Sequence, residues 1–160
     1  MENPIFSDID SITFNLDSGH IEKHINSDVE AIVPVHIFGN ACDIDSIQRI
    51  ATKNNLNVVY DASHTFGVRY KNKSILNYGD ISTLSFHATK LFHTVEGGAL
   101  VVNNDELYNT AKNIIDFGYD DAGIISSLGI NAKLSEFHAA MGLDVLDDID
   151  EILEKRQIIV

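Results

Sequence analysis

The chain has 160 residues, 44% hydrophobic and 22% charged, which is enough apolar material for one folded domain and unlike a disordered chain. Its 24 acidic residues against 11 basic ones leave a formal net charge of −13. That surplus repels a phosphate polyanion or an anionic bilayer over most of the surface, so neither nucleic acid nor membrane is expected as a partner.

No apolar stretch approaches the roughly 20 residues that a bilayer span requires. The first eight residues, Met1 to Asp8, lack the basic region and apolar core of a secretory signal. The single cysteine, Cys42, rules out an internal disulfide and reads as a small buried hydrophobe; a reducing, cytoplasmic setting is the expectation.

Pro4 to Ile9 is strand-like. Ala31 to Ile37 is a short, nearly continuous apolar run bounded by Gly39 and predicts a buried strand. Asp43 or Asp45 then caps a helix through about Asn54, with Ile44, Ile47, Ile50 and Ala51 on one face. Leu56 to Tyr60 is the next strand. Phe66 to Tyr70 and the turn Lys71-Asn72-Lys73 predict a small hairpin, and the nearby bases Arg69, Lys71 and Lys73 read as a solvated turn. Ile81 to Phe86 and Ala99 to Val102 are further strands. Asp105 begins a helix to about Phe117 with Leu107, Ala111, Ile114 and Ile115 inward and Gly118 as its C-cap. After a loop over 123–129, Ser135 opens a helix whose apolar stripe is Ala139, Ala140, Leu143 and Leu146, and helical pattern continues to the C-terminus.

The alternation predicts an α/β fold, a mostly parallel sheet flanked by helices. Ligands in such sheets bind outside the carboxyl ends of the strands, where Asp61 and the run Ser85-Phe86-His87-Ala88-Thr89-Lys90 are placed. A lysine at one strand end, an acid at another and a hydroxyl near the lysine suit pyridoxal phosphate. The lysine can carry the aldehyde as an imine, the aspartate can keep the ring nitrogen protonated, and the serine can bind phosphate. His36, His87 and His93 lack tight pairing with one another or with Cys42, so no metal site is expected.

Six segments in order carry a resemblance: Pro34-Val35-His36-Ile37-Phe38-Gly39, Asp61-Ala62-Ser63-His64-Thr65-Phe66-Gly67, Gly79-Asp80, Ser85 to Lys90, Glu96-Gly97-Gly98-Ala99, and Gly129 to Glu136. Together they resemble the DegT/DnrJ/EryC1/StrS sugar aminotransferases, fold-type I enzymes like aspartate aminotransferase. The resemblance covers nearly the whole chain and implies the following. The fold is the central part of the large, pyridoxal-phosphate-binding domain over 1–160, without the N-terminal phosphate-loop segment or the C-terminal small domain, truncated at both ends. Lys90 is the catalytic lysine that also holds the cofactor. Asp61 pairs with the pyridinium nitrogen, His64 packs by the ring and its phenolic oxygen, and Ser85 binds phosphate. Asn131 reaches the cofactor phosphate of a neighbouring subunit, which makes the working unit a homodimer with shared sites.

The implied reaction is transfer of an amino group to a nucleotide-linked keto-sugar, with glutamate as donor, serving surface polysaccharides or glycosylated metabolites. The sugar and the aminated carbon stay open. Some relatives are dehydratases with histidine at the lysine position; Lys90 favours transamination. The alternative is an inactive fragment that keeps the fold or weak cofactor binding only.

Overall fold

The computed structural model describes residues 3–159. They form two units, the first running to Leu84 and the second beginning at Ser85.

The first unit is built on a parallel sheet. β1 (Ala31–Ile32) pairs with β2 (Asn57–Asp61), and β2 pairs with β5 (Ile81–Ser85), in the register Val59 opposite Ile81 and Asp61 opposite Thr83. The predicted strand over 31–37 is cut short. Pro34 has no N–H to give a ladder, and pairing resumes as a single parallel bridge between Val35 and Asp61. Pro4 to Ile9 forms no strand and contributes one bridge, Ile9 to Leu16. The four-residue α1 (Ser18–Ile21) has no counterpart in the sequence reading; the Asp17 side chain caps it.

α2 (Ile44–Asn54) follows its periodicity. Asp43 is the N-cap, accepting from the Ser46 N–H, and Asn55 closes the helix in a left-handed conformation. Its predicted face, Ile44, Ile47, Ile50 and Ala51, is buried with Val58, Tyr60, Cys42 and Ile75 in one core. Truncating Ile47, which has no exposed surface, would cost about 2–5 kcal/mol through lost transfer energy and the cavity left behind. β3 (Arg69–Tyr70) and β4 (Lys73–Ser74) make the expected hairpin. Lys71 and Asn72 both have positive φ, the two-residue turn that matches strand twist, and Lys71 is ion-paired with Asp45.

Just before β5, Asp80 clasps β2. Its carboxylate accepts from the Val58 N–H (2.7 Å) and its own N–H donates to the Val58 carbonyl (2.9 Å). Burial alternates along β2, with Val58 and Tyr60 inside and Asp61 half-buried on the other face.

The second unit carries β6 (Gly98–Val102), α3 (Asp105–Ile115), α4 (Glu136–Asp147) and α5 (Ile149–Ile159). Asn104 caps α3 by accepting from the Glu106 and Leu107 N–H groups. The helix ends at Ile115 with Asp116 as its C-cap, two residues before the expected Gly118, whose N–H still returns to the Asn113 carbonyl (2.8 Å) from a positive φ. The predicted inward face of α3 is not buried: Leu107 and Ala111 are half-covered, and Ile114 and Ile115 are exposed. The predicted stripe of α4 is also corrected. Leu143 and Leu146 are exposed, and Gly142 and Val145 are the buried residues. The reason is a close approach: a Cβ at position 142 would lie 2.8 Å from the Thr94 methyl and 3.4 Å from the Phe92 ring, so the helix packs on its glycine side. No helix among the described residues is long and apolar enough to cross a membrane.

Candidate functional site

The five residues singled out from the sequence divide between the units, with Asp61 and His64 in the first and Ser85, Lys90 and Asn131 in the second.

Asp61 is the last residue of β2 and half-buried. One carboxylate oxygen, Oδ1, accepts from the Ser63 N–H (2.9 Å). The main chain then turns at once. The Thr65 N–H and Oγ1 both donate to the Ala62 carbonyl at 3.0 Å, and Thr65 is fully buried, which anchors the turn that presents His64. The His64 ring is exposed; its Nδ1 accepts from the Phe38 N–H at 3.3 Å, and the two rings lie nearly parallel.

Beneath this surface sits a buried polar pair. His36 Nδ1 accepts from the Cys42 N–H (3.1 Å), and the Cys42 thiol donates to the Val35 carbonyl (3.1 Å). Burial pushes His36 down to about 4, with the Asp61 charge opposing it. Burial pushes the Cys42 thiol up to about 12. The expected buried, inert Cys42 is what the structure shows. Among the described residues, no three His, Cys, Asp or Glu side chains gather as for a metal ion.

In the second unit, Ser85 ends β5 and its hydroxyl accepts from the His87 N–H (3.4 Å). His87 Nδ1 meets the Thr89 hydroxyl (2.8 Å), and the Lys90 N–H donates to the His87 carbonyl (2.9 Å). These bonds wind residues 85–90 into a tight turn with Lys90 at its end, half-buried. Among the described residues no carboxylate lies within ion-pair distance of Lys90 Nζ, unlike Lys71, Lys112, Lys133 and Lys155. An amine without a salt bridge is the kind that can act as a nucleophile.

Asn131 is exposed on a segment bridged to Asp116, and its Oδ1 accepts from Lys133 Nζ (3.3 Å). Lys133 also pairs with Asp116 (2.9 Å) and lies 4.0 Å from the Phe117 ring centre. The segment is threaded tightly, because a Cβ on Gly129 would meet the Gly118 nitrogen at 2.0 Å.

Asn15 escaped the sequence reading, and Phe38 entered it only as part of the segment Pro34 to Gly39. Asn15 is buried, and its side chain reaches the main chain of Ile37, Asn40 and Ala41. The run Ile12-Thr13-Phe14-Asn15-Leu16 gave no signal for contacts more than 20 residues away.

In the first unit an aspartate held at a strand end is followed by an imidazole, and in the second an amine that has no ion pair among the described residues ends a turn that carries hydroxyls; each is a group type that a pyridoxal cofactor can use.

The family model of the DegT/DnrJ/EryC1/StrS aminotransferases matches residues 2–160. A dTDP-4-amino-4,6-dideoxy-D-glucose transaminase of Shigella dysenteriae is 48% identical over 153 residues, covering 96% of this chain and 42% of the relative. Helicobacter pylori PseC, an aminotransferase involved in pseudoaminic acid biosynthesis, superposes with a TM-score of 0.86 at 35% identity, over 92% of this chain and 41% of its own. NtdA of Bacillus subtilis, solved with bound cofactor PMP, gives a TM-score of 0.84 at 31% identity, over 91% of this chain and 34% of its own. The chain thus spans about two fifths of the length of the relatives it matches. With the fold of these aminotransferases and a match along nearly all its length, the chain belongs to the DegT/DnrJ/EryC1/StrS aminotransferase family.

Proposed function

We propose that this chain carries the cofactor-holding part of an enzyme that uses pyridoxal 5′-phosphate to move an amino group onto a nucleotide-linked keto-sugar. The observation that supports it most directly is Lys90: an amine with no ion pair among the described residues, at the end of a hydrogen-bonded turn, in a member of an aminotransferase family.

The cofactor, when bound, supplies the electron sink that makes an amino-bearing carbon acidic. The chain supplies the groups around it. Lys90 Nζ would hold the cofactor and, as a free amine, would carry the proton that the transfer has to move. The Asp61 carboxylate keeps the ring nitrogen protonated. His64 packs by the ring, and Ser85 offers its hydroxyl to phosphate. Asn131 serves the site of a second subunit, so the working form is a homodimer. Glutamate is the amino donor, and the aminated sugar goes to surface polysaccharide or a glycosylated metabolite. The enzyme works in a reducing, cytoplasmic setting, where the lone buried Cys42 stays a thiol.

The test is reduction with borohydride after adding pyridoxal phosphate, followed by peptide mapping. A single adduct on Lys90 supports the reading. Label scattered over surface lysines, or none, overturns cofactor capture by this chain. An assay with glutamate and a nucleotide keto-sugar then separates an active enzyme from an inactive scaffold that only binds cofactor.

A further inference from the structure

His64 is held by a loop that is itself pinned from a distant part of the chain. Phe38 adopts a left-handed backbone (φ 55, ψ 19), a conformation that residues with a β-carbon disfavour. This conformation accompanies a 3.3 Å hydrogen bond from the Phe38 N–H to His64 Nδ1. A donor at Nδ1 requires a lone pair there, so the neutral ring carries its proton on Nε2. The Phe38 ring lies 7° from parallel to the imidazole with centroids 6.3 Å apart. Gly39 follows at φ 86, and a Cβ there would sit 3.0 Å from the His64 carbonyl oxygen, so loop and turn approach main chain to main chain.

Asn15 fixes this loop. It is only 3% exposed, and every arm of its amide is used. Oδ1 accepts from the Ile37 N–H (2.9 Å), while Nδ2 donates to the carbonyls of Asn40 (3.3 Å) and Ala41 (3.1 Å). These partners flank Phe38 on both sides. A fully satisfied buried amide bridging 22 to 26 residues determines the loop conformation more firmly than its own short-range turns can.

We propose that Asn15 and Phe38 are positioning residues for His64: the Asn15-pinned loop locks the imidazole in its Nε2–H form and in one plane, so that it meets a bound pyridoxal group as a hydrogen-bond donor. The proposal rests on the reading of His64 as a cofactor contact. A phenolate oxygen needs a donor opposite it, and only this tautomer of the neutral ring offers Nε2–H.

The experiment is a long-range proton–nitrogen correlation spectrum of the 15N-labelled full chain without cofactor, at alkaline pH, with the His64 signals assigned through His64→Gln. A free neutral imidazole averages between two tautomers. The expected result is a fully pyridine-like Nδ1 and a pyrrole-like Nε2, with no averaging. Asn15→Ala should move both nitrogens toward the averaged values. Phe38→Gly keeps the amide and tolerates the positive φ; it should keep the tautomer and lose the ring-current shift on the His64 ring protons. A pyrrole-like Nδ1, or averaged nitrogens in the unmodified chain, overturns the proposal. So does an Asn15→Ala chain that folds and leaves His64 unchanged. If Asn15→Ala fails to fold, the unmodified spectrum and Phe38→Gly decide. A locked His64 with no Lys90 adduct sinks the cofactor reading and leaves the loop assignment standing. Averaged nitrogens with a Lys90 adduct do the reverse.

Discussion

The imidazole of His36 lies against the phenol ring of Tyr60, with centroids 4.5 Å apart and planes 14° from parallel, and both residues are 1% exposed. Neither His36 Nε2 nor the Tyr60 hydroxyl has a hydrogen-bond partner among the described residues. Burial pushes the Tyr60 hydroxyl upward and the His36 imidazole down from 6.5 to about 4. The folded state therefore holds His36 neutral, while the unfolded chain takes up a proton first as pH falls. The stability that depends on a neutral His36 is complete above about pH 6.5 and is lost as pH falls through about 4. The loss should amount to roughly 3 kcal/mol over that window. Urea midpoints measured across it should fall, and His36→Asn, which keeps an acceptor for the Cys42 N–H, should flatten the slope. An unchanged slope would show that other groups set the acid sensitivity.

Cys42 is 2% exposed, and burial holds its thiol at about 12. A thiol-directed disulfide reagent at mildly alkaline pH should leave the native chain unlabelled and react fully in denaturant. Labelling then reports opening of the core around α2, and fast labelling of the folded chain would contradict this packing.

Gly118 sits at φ 81, and a Cβ there would come 2.0 Å from the Ser127 carbonyl oxygen. Gly118→Ala combines a disfavoured conformation with a main-chain clash, so it should destabilise the second unit by about 2 kcal/mol or more. Thermal unfolding would show it. A value within the error of the unmodified chain would mean that residues 118–129 do not close as described.

Lys90→Ala removes a half-buried amine that has no ion pair among the described residues, so stability should change by no more than about 0.5 kcal/mol. Borohydride-fixed pyridoxal label should vanish with it. Cooperative unfolding at an unchanged midpoint, together with a lost label, separates a chemical role from a structural one; a large stability loss would place Lys90 in the core instead.

Much of the first unit was legible because its pattern is one-sided. In α2 the apolar residues fall on one face and polar ones on the other, so periodicity names Ile44, Ile47, Ile50 and Ala51 correctly. α4 carries Phe137, Ala139, Ala140, Met141, Leu143, Val145 and Leu146 all around its axis, so periodicity cannot choose a side. The choice follows Gly142, against which Thr94 and Phe92 pack closely. Asp61, Ser85 and Lys90 were singled out because each ends or follows an apolar strand. Asn15 and Phe38 were not, since their roles come from long-range hydrogen bonds and one unusual φ rather than from composition.

The clasp between Asp80 and Val58 decides more than local order. Strand side chains alternate with a period of two, so sliding β2 by one residue against β5 would exchange Asp61 with Tyr60. A carboxylate would enter the core and a phenol would emerge where the acid belongs. Asp80 is thus a gauge for the chemistry of a residue 19 positions earlier, because it determines which side chain arrives at the end of β2.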